Sequence, residues 1–115
     1  MNFKGLTVLK KRADFLKAAR ARRQATPGFT LQIRERPTDE ETGMRVGFTC
    51  SKKVGNAVAR NRAKRRLREI ARLTLPLHGK DGFDYVLIGR RDVTVQRDFA
   101  TMLRDLETAL AKAHR

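Results

Sequence analysis

The stretch of this sequence best suited to chemistry is the basic run SKKVGNAVARNRAKRRLREIAR, residues 51–72. It holds nine lysines or arginines against one acid, Glu69. Because so few acidic partners are available, salt bridges along a helix cannot account for these cations. The planar guanidinium group of arginine pairs with two phosphate oxygens at once. The run therefore predicts a surface that binds a polyanion.

A helix must present these cations, and the sequence predicts one over residues 57–73. Gly55 and Asn56 form a start signal with Asn56 as N-cap, and Pro76 limits the far end. At about 100° per residue, the small and apolar positions form one narrow line: Ala59, Ala63, Leu67, Ile70 and Thr74. The opposite side carries Asn61, Arg62, Lys64, Arg65, Arg68 and Arg72, with Arg60 and Arg66 flanking the apolar line. The free N–H groups at the helix start leave two roles open, capping by Asn56 alone or docking of a phosphate near residues 56–58.

The remaining elements are predicted from hydrophobic periodicity. They are a helix over 9–20, strands over 28–36, 44–50 and 83–89, and a helix over 95–113. The first two strands look like a hairpin with an exposed loop at 37–43, and the continuously apolar third strand predicts a central position. The last helix carries an apolar stripe of Phe99, Met102, Leu103, Leu106, Leu110 and Ala113. This order predicts an α+β fold, an α/β sandwich of three helices on a small mixed sheet, as a single domain over residues 1–115.

The net charge of +15 is concentrated in two places. Residues 1–23 carry eight basic residues against one acid, residues 51–75 carry nine against one, and the rest of the chain is balanced. Such clustering is typical of a nucleic-acid partner, although a solvated face that keeps the protein soluble is the simpler alternative.

Other classes of function find little support. There is no apolar leader or membrane-length run, and a single cysteine excludes an intrachain disulfide, which together predict a cytoplasmic protein without a membrane partner. Cys50 alternates with core residues, which predicts a buried, inert thiol. His78 and His114 are interpreted as solvated. No paired carboxylates, metal-spaced His/Cys set or Gly-rich phosphate loop is present, so we expect no catalytic residue and no metal or other cofactor bound by the protein alone.

The basic run also resembles a known family. With Arg60-Asn61-Arg62 at its centre, it is similar to the Arg-Asn-Arg signature of the bacterial ribonuclease P protein, and the resemblance extends over nearly the whole chain. LKKRADFLKAAR resembles the family's first helix, MRVGFTCSKKVGNAV the strand before the signature, FDYVLIGR the late strand and DFATMLRDLETAL the last helix.

The resemblance implies a left-handed β-α-β crossover around the signature helix. It implies that the protein binds the RNA subunit of ribonuclease P and the 5′ leader of precursor tRNA, with no obligate protein partner. The RNA subunit would perform the cleavage with magnesium expected in the holoenzyme. The implied RNA contacts are Lys52, Lys53, Arg60, Asn61, Arg62, Lys64, Arg65, Arg66 and Arg68, although Arg60 and Arg66 lie where they could instead brace the sheet or line the cleft.

The implied leader-binding cleft consists of Phe15, Ala19, Thr30 and Gln32. Family members often carry aromatic residues where Ala19 and Gln32 stand, so this chain departs from the pattern at two positions. Each stacked base is worth about 1–3 kcal/mol. The departure therefore predicts weaker stacking, or hydrogen bonds from Gln32 and Thr30 in its place. Phe15 as a plain core residue, and a structural RNA-binding protein of ribosomal or nucleoid type, are the alternatives.

Overall fold

The computed structural model describes residues 6–115. Over that range the chain forms five strands, four α-helices and one short 3-10 turn. In chain order these are β1 (Leu6–Val8), α1 (Arg12–Ala19), β2 (Arg22–Ala25), β3 (Phe29–Glu35), β4 (Met44–Thr49), the 3-10 turn (Lys52–Val54), α2 (Ala57–His78), β5 (Phe83–Gly89), α3 (Val93–Gln96) and α4 (Phe99–Ala113).

The strands form one mixed sheet in the order β1-β4-β5-β3-β2. β4 is parallel to β1 and β5, whereas β3 is antiparallel to β5 and β2. The central position predicted for β5 is confirmed. The predicted hairpin of β3 and β4 is wrong, because β5 lies between them and pairs with both. α2 joins the parallel neighbours β4 and β5, which makes a β-α-β unit, and its left hand stays a prediction from the resemblance.

Helices cover both faces of the sheet. On one face α2 and α4 cover Tyr85 and Leu87 of β5, and this main core includes Leu67, Ile70 and Leu106, all fully buried. On the other face α1 covers Val86, with Leu9 and Ala18 beside it. Because side chains alternate along a strand, β5 contributes to both cores, which explains its unbroken apolar run.

The observed helices begin and end a few residues away from their predicted bounds. α2 continues through Pro76 to His78, since a proline in the last turn removes only one hydrogen bond and the buried Leu75 anchors that turn. The single helix predicted over 95–113 is divided into α3 and α4. The helix is interrupted at Asp98, because the carboxylate of this residue accepts the N–H of Thr101 at 3.0 Å and so caps the start of α4.

Two edge strands were not predicted from the sequence, because β1 is too short to establish a period and β2 has no apolar alternation. β1 has three residues, and β2 has the sequence RRQA and lies largely exposed at the sheet edge. None of the helices in residues 6–115 is both long and apolar enough to cross a lipid bilayer.

Candidate RNA-binding surface

The start of α2 is fixed by its local sequence. Ser51 begins the 3-10 turn, and its hydroxyl accepts the N–H of Lys53 at 3.3 Å. Gly55 then adopts a φ of +146°, a conformation that favours glycine. Asn56 caps α2, because its side-chain oxygen accepts the N–H of Ala59 at 2.9 Å. The capping role is thus confirmed, whereas a phosphate near residues 56–58 stays a prediction.

The predicted division of α2 into two sides is confirmed. Ala63, Leu67, Ile70 and Thr74 are buried, and Ala59 is half-buried. The polar residues predicted to face RNA are exposed on α2 and on the turn before it: Lys52, Lys53, Asn61, Arg62, Lys64, Arg65 and Arg68. Within residues 6–115 none of these six cations forms an ion pair. The surface therefore holds unneutralised charge that phosphates can neutralise.

Arg72 differs from these residues because its charge is already paired. Its guanidinium donates to both carboxylate oxygens of Glu69, one of them at 3.2 Å. This hydrogen bonding lowers the pKa of Glu69 and keeps it charged. Arg72 is therefore less available to RNA than the exposed cations earlier on the helix.

Arg66 lies at the junction of α2 with α4. Its guanidinium donates to the carbonyl of Arg97, lies 5.9 Å from the ring centre of Phe99 and approaches the sulfur of Met102 at 3.7 Å. The Nε atoms of Arg66 and Arg60 are buried and have no hydrogen-bond partner among the described residues. These contacts favour a structural role for Arg66, bracing the fold, over a contact with RNA.

Three of the four predicted cleft residues come together beside α1. Phe15, Ala19 and Gln32 line a cavity of about 230 Å³ between α1 and the sheet, together with Arg12, Leu16, Thr49 and Ile88. Thr30 does not line it: the residue is 4% exposed and lies two residues before Gln32 on β3, opposite Ile88 in register. Since Thr30 and Gln32 share a sheet face but only Gln32 lies under the cavity, spacing alone could not separate them.

The cleft continues toward α2. A neighbouring cavity of about 420 Å³ shares Arg12, Phe15 and Thr49 with the first and adds Lys10, Phe48, Cys50 and Lys64. Lys64 belongs to α2, so the cleft and the cationic surface of the helix are contiguous. Lys10 and Arg12 lie in the basic first segment, which is the sequence signal that could have assigned them to the cleft.

Buried charges fix the position of α1. The carboxylate of Asp84 accepts hydrogen bonds from Nε and Nη2 of Arg45, at 2.7 and 2.8 Å. It also accepts one from Nη1 of Arg36 at 2.7 Å. Arg45 also reaches Asp14 of α1 at 3.5 Å, one residue before Phe15. Burial alone would raise the pKa of Asp84, but the hydrogen bonds from Arg45 and Arg36 outweigh it and lower the pKa.

Cysteine and histidine side chains are the other groups that could take part in chemistry. Cys50 is half-buried rather than buried as predicted, because it packs at the edge of the main core and also lines the cavity of about 420 Å³. Burial raises the pKa of its thiol, which favours an inert role. His78 is exposed as predicted. The solvated reading of His114 is wrong: the residue is half-buried, with Nε2 2.7 Å from the hydroxyl of Tyr85. Among residues 6–115 no group of three or more His, Cys, Asp or Glu side chains could hold a metal ion.

Comparison with known proteins gives one consistent family. The family model described as Ribonuclease P matches residues 3–114. A ribonuclease P protein component from Ruegeria pomeroyi is 64% identical over 110 residues, which cover 96% of this chain and 88% of the relative. One from Caulobacter vibrioides is 53% identical over 102 residues, or 89% of this chain and 67% of the relative.

Similar solved structures belong to the same family. The RNase P protein of Staphylococcus aureus superimposes with a TM-score of 0.72 at 29% identity, covering 92% of this chain and 94% of that one. The RNase P protein from Thermotoga maritima gives a TM-score of 0.69 at 28% identity, covering 88% and 91%.

Proposed function

This chain belongs to the ribonuclease P protein family, and from that premise we propose that it binds the RNA subunit of ribonuclease P together with the 5′ leader of precursor tRNA. It thereby assists the endonucleolytic removal of the leader. The observation that carries this proposal is the contiguity of two surfaces, an unpaired cationic helix face and an aromatic cleft, which meet at Lys64.

The RNA subunit binds to the exposed face of α2. Arg62, Arg65 and Arg68 recur at intervals of three residues on that face and have no acidic partner among the described residues. Crowded like charges are unfavourable on an isolated helix, and phosphate groups offset that repulsion by neutralising the cations. The counterions released from the RNA favour binding further. The two lysines of the 3-10 turn extend the same surface beyond the helix start.

The leader lies in the cleft beside α1. Phe15 offers a ring to one base, Gln32 offers hydrogen-bonding groups, and Lys10, Arg12 and Lys64 supply cations for the backbone. A positively charged groove with an aromatic platform is the usual arrangement for a single strand of nucleic acid. Ala19 leaves one wall without a second ring, so we expect fewer stacked bases here than in relatives with two.

The RNA subunit carries out the cleavage, and the protein side chains take no part in the chemical step. Magnesium is expected in the RNA-containing holoenzyme, where we expect the RNA subunit to hold it. We expect the protein to act in the cytoplasm, which its role in tRNA maturation and its lone cysteine both favour.

Reconstitution with a bacterial ribonuclease P RNA tests the proposal. The protein should enable cleavage of precursor tRNA at low magnesium, where the RNA alone is slow, and the protein without RNA should cleave nothing. The variant Arg62→Ala/Arg65→Ala/Arg68→Ala should lose this effect. Lys112→Ala, which removes an exposed cation near the end of α4 and outside the cationic face, should retain it. Equal binding of duplex DNA and structured RNA at matched salt would instead support a nucleic-acid-coating protein.

A further inference from the structure

A cavity at the far end of the sheet has no part in the function proposed above. It measures about 660 Å³ and lies where β3 ends, β5 begins and α4 ends. β5 has seven residues, so at about 3.3 Å per residue the cavity lies roughly 20 Å from Gly89 at the other end of the strand, where Gly89 approaches Cys50 and Leu67. A ligand there would be bound independently of the α2 surface.

The cavity carries an excess of positive charge. Arg22, Lys80 and Arg115 line it from three different segments, and Glu35 is the acid among its lining residues. Arg34 also lines it, but its charge is paired with Glu40 at 3.0 Å. Arg22 is held in place because its guanidinium donates to the carbonyl of Ala113 at 2.5 Å, which leaves its other N–H groups for a ligand.

Aromatic rings form another part of the wall. His114 lies edge-on to Phe83 with ring centres 4.6 Å apart, and both residues line the cavity. Behind them the hydroxyl of Tyr85 accepts the N–H of Lys80 at 2.8 Å and lies 2.7 Å from Nε2 of His114. The Tyr85 hydroxyl and Nε2 of His114 share one hydrogen bond, in which the hydroxyl donates to a neutral Nε2 and accepts from a protonated one.

We propose that this cavity is a second nucleotide-binding site, in which the cations Arg22 and Lys80 bind the phosphate of a single-stranded RNA nucleotide and the rings of His114 and Phe83 contact its base. The fork of an arginine fits phosphate oxygens, and stacking on rings accepts any base. The juxtaposition of cations with aromatic rings favours a nucleotide over an acidic peptide, which needs no ring.

Proton uptake accompanies binding. Burial lowers the pKa of His114, and repulsion from Lys80 and Arg22 lowers it further against the weaker opposing effect of Glu35. Burial raises the pKa of Tyr85 to about 12, so its hydroxyl stays protonated. A bound phosphate offsets the repulsion and raises the pKa of His114, so by linkage the nucleotide binds more tightly as the pH falls through that pKa.

The imidazole NMR signals of the two histidines provide the measurement. His114 is followed from about pH 5 to 8 in buffer alone, with inorganic phosphate, with a 5′-mononucleotide and with a short single-stranded oligouridine. The exposed His78 lies outside the cavity and is the internal reference. We expect the oligonucleotide to raise the pKa of His114 by about 0.5 to 1 and to move the ring signals of Phe83.

Two variants localise the effect. Lys80→Ala keeps the backbone N–H that contacts Tyr85, so it should fold, and it should weaken oligonucleotide binding at His114 by about threefold. Lys112→Ala removes an exposed charge on α4 outside the cavity and should change nothing. The proposal is overturned if no ligand moves His114, if inorganic phosphate alone has the full effect, if an acidic peptide has the same effect, or if the two variants behave alike.

Discussion

The ring of Phe15 occupies the space that a side chain at position 47 would need, since a Cβ atom on Gly47 would lie only 2.6 Å from Cε1 of the ring. The absence of a side chain on β4 thus allows α1 to place its aromatic ring close to the sheet. Phe15 remains half-buried there and lines both cavities of the cleft.

Removal of this ring should affect the leader and little else. Phe15→Ala should weaken binding of precursor tRNA by the holoenzyme by about 1–3 kcal/mol, the value of one stacked base. Binding of mature tRNA, which lacks the leader, should barely change, and Ala19→Phe should tighten precursor binding. The measurement is a pair of affinities for each variant, with thermal melts as folding controls. Equal weakening for both tRNAs would show that Phe15 supports the holoenzyme in general, and unfolding would make it a core residue.

Gly47→Ala tests the same contact without removing the ring. The new methyl group forces Phe15 to move, because Cβ contacts shorter than 3.0 Å are not tolerated and the ring is the end of a side chain. We expect selective loss of precursor binding, in the same direction as for Phe15→Ala. Gly82→Ala is unsuitable as a control because of its positive φ, whereas Ala25→Gly, at an exposed position on the edge strand β2, should leave both affinities unchanged.

The salt dependence of RNA binding separates the arginines of α2. Arg65→Ala and Arg68→Ala should each reduce the slope of log affinity against log salt by about one, since each removes one phosphate contact. Binding assays at several salt concentrations measure this slope. An unchanged slope in both variants would remove these residues from the interface.

Arg66→Ala should act on stability instead. It removes a charged hydrogen bond to the carbonyl of Arg97 and a contact with the ring of Phe99, which predicts a loss of about 1–3 kcal/mol in the free energy of unfolding. Arg65→Ala, on the exposed face, should change it by less than about 0.5 kcal/mol. Urea unfolding of the two variants provides the comparison, and similar stabilities would contradict the bracing role.

Asp84→Asn should destabilise the fold at neutral pH by about 3–5 kcal/mol, because it leaves Arg36 and Arg45 without their buried anion. The folded structure lowers the pKa of Asp84, so the ionised carboxylate stabilises the fold. This stabilisation is fully present above the pKa of an aspartate in the unfolded chain, about 3.9. It is lost as the pH falls through the lower pKa that Asp84 has in the folded protein. The difference between the variant and the wild type should therefore shrink in strong acid. Asp39→Asn, in an exposed loop, is the matched control, and a difference that is constant with pH would contradict the assignment.

Cys50→Val should be tolerated in folding and in cleavage by the reconstituted enzyme, because the thiol packs against the core and takes no part in chemistry. The raised pKa also predicts slow reaction with thiol reagents at neutral pH, accelerating as the pH rises. A large loss of single-turnover cleavage in Cys50→Ser with an unchanged melt would argue against this role.

The sequence predicted local periodicity well and distant contacts poorly. The two sides of α2 followed from its helical repeat, and the central position of β5 from its apolar run. The buried carboxylate of Asp84 escaped prediction because its partners Arg36 and Arg45 lie about 40 residues or more away along the chain. The contact of Arg66 with Phe99 and the exclusion of Thr30 from the cleft likewise depend on how elements pack, which no repeat encodes.

The strand order also has a consequence for synthesis on the ribosome. β3 and β4 meet only through β5, and β5 follows the whole of α2 in the chain. The nascent chain must therefore expose the apolar strands and the cationic helix together until residue 89 has left the exit tunnel. Only then can the sheet close around its last central strand, so folding is largely deferred to the end of translation rather than proceeding from the N-terminus.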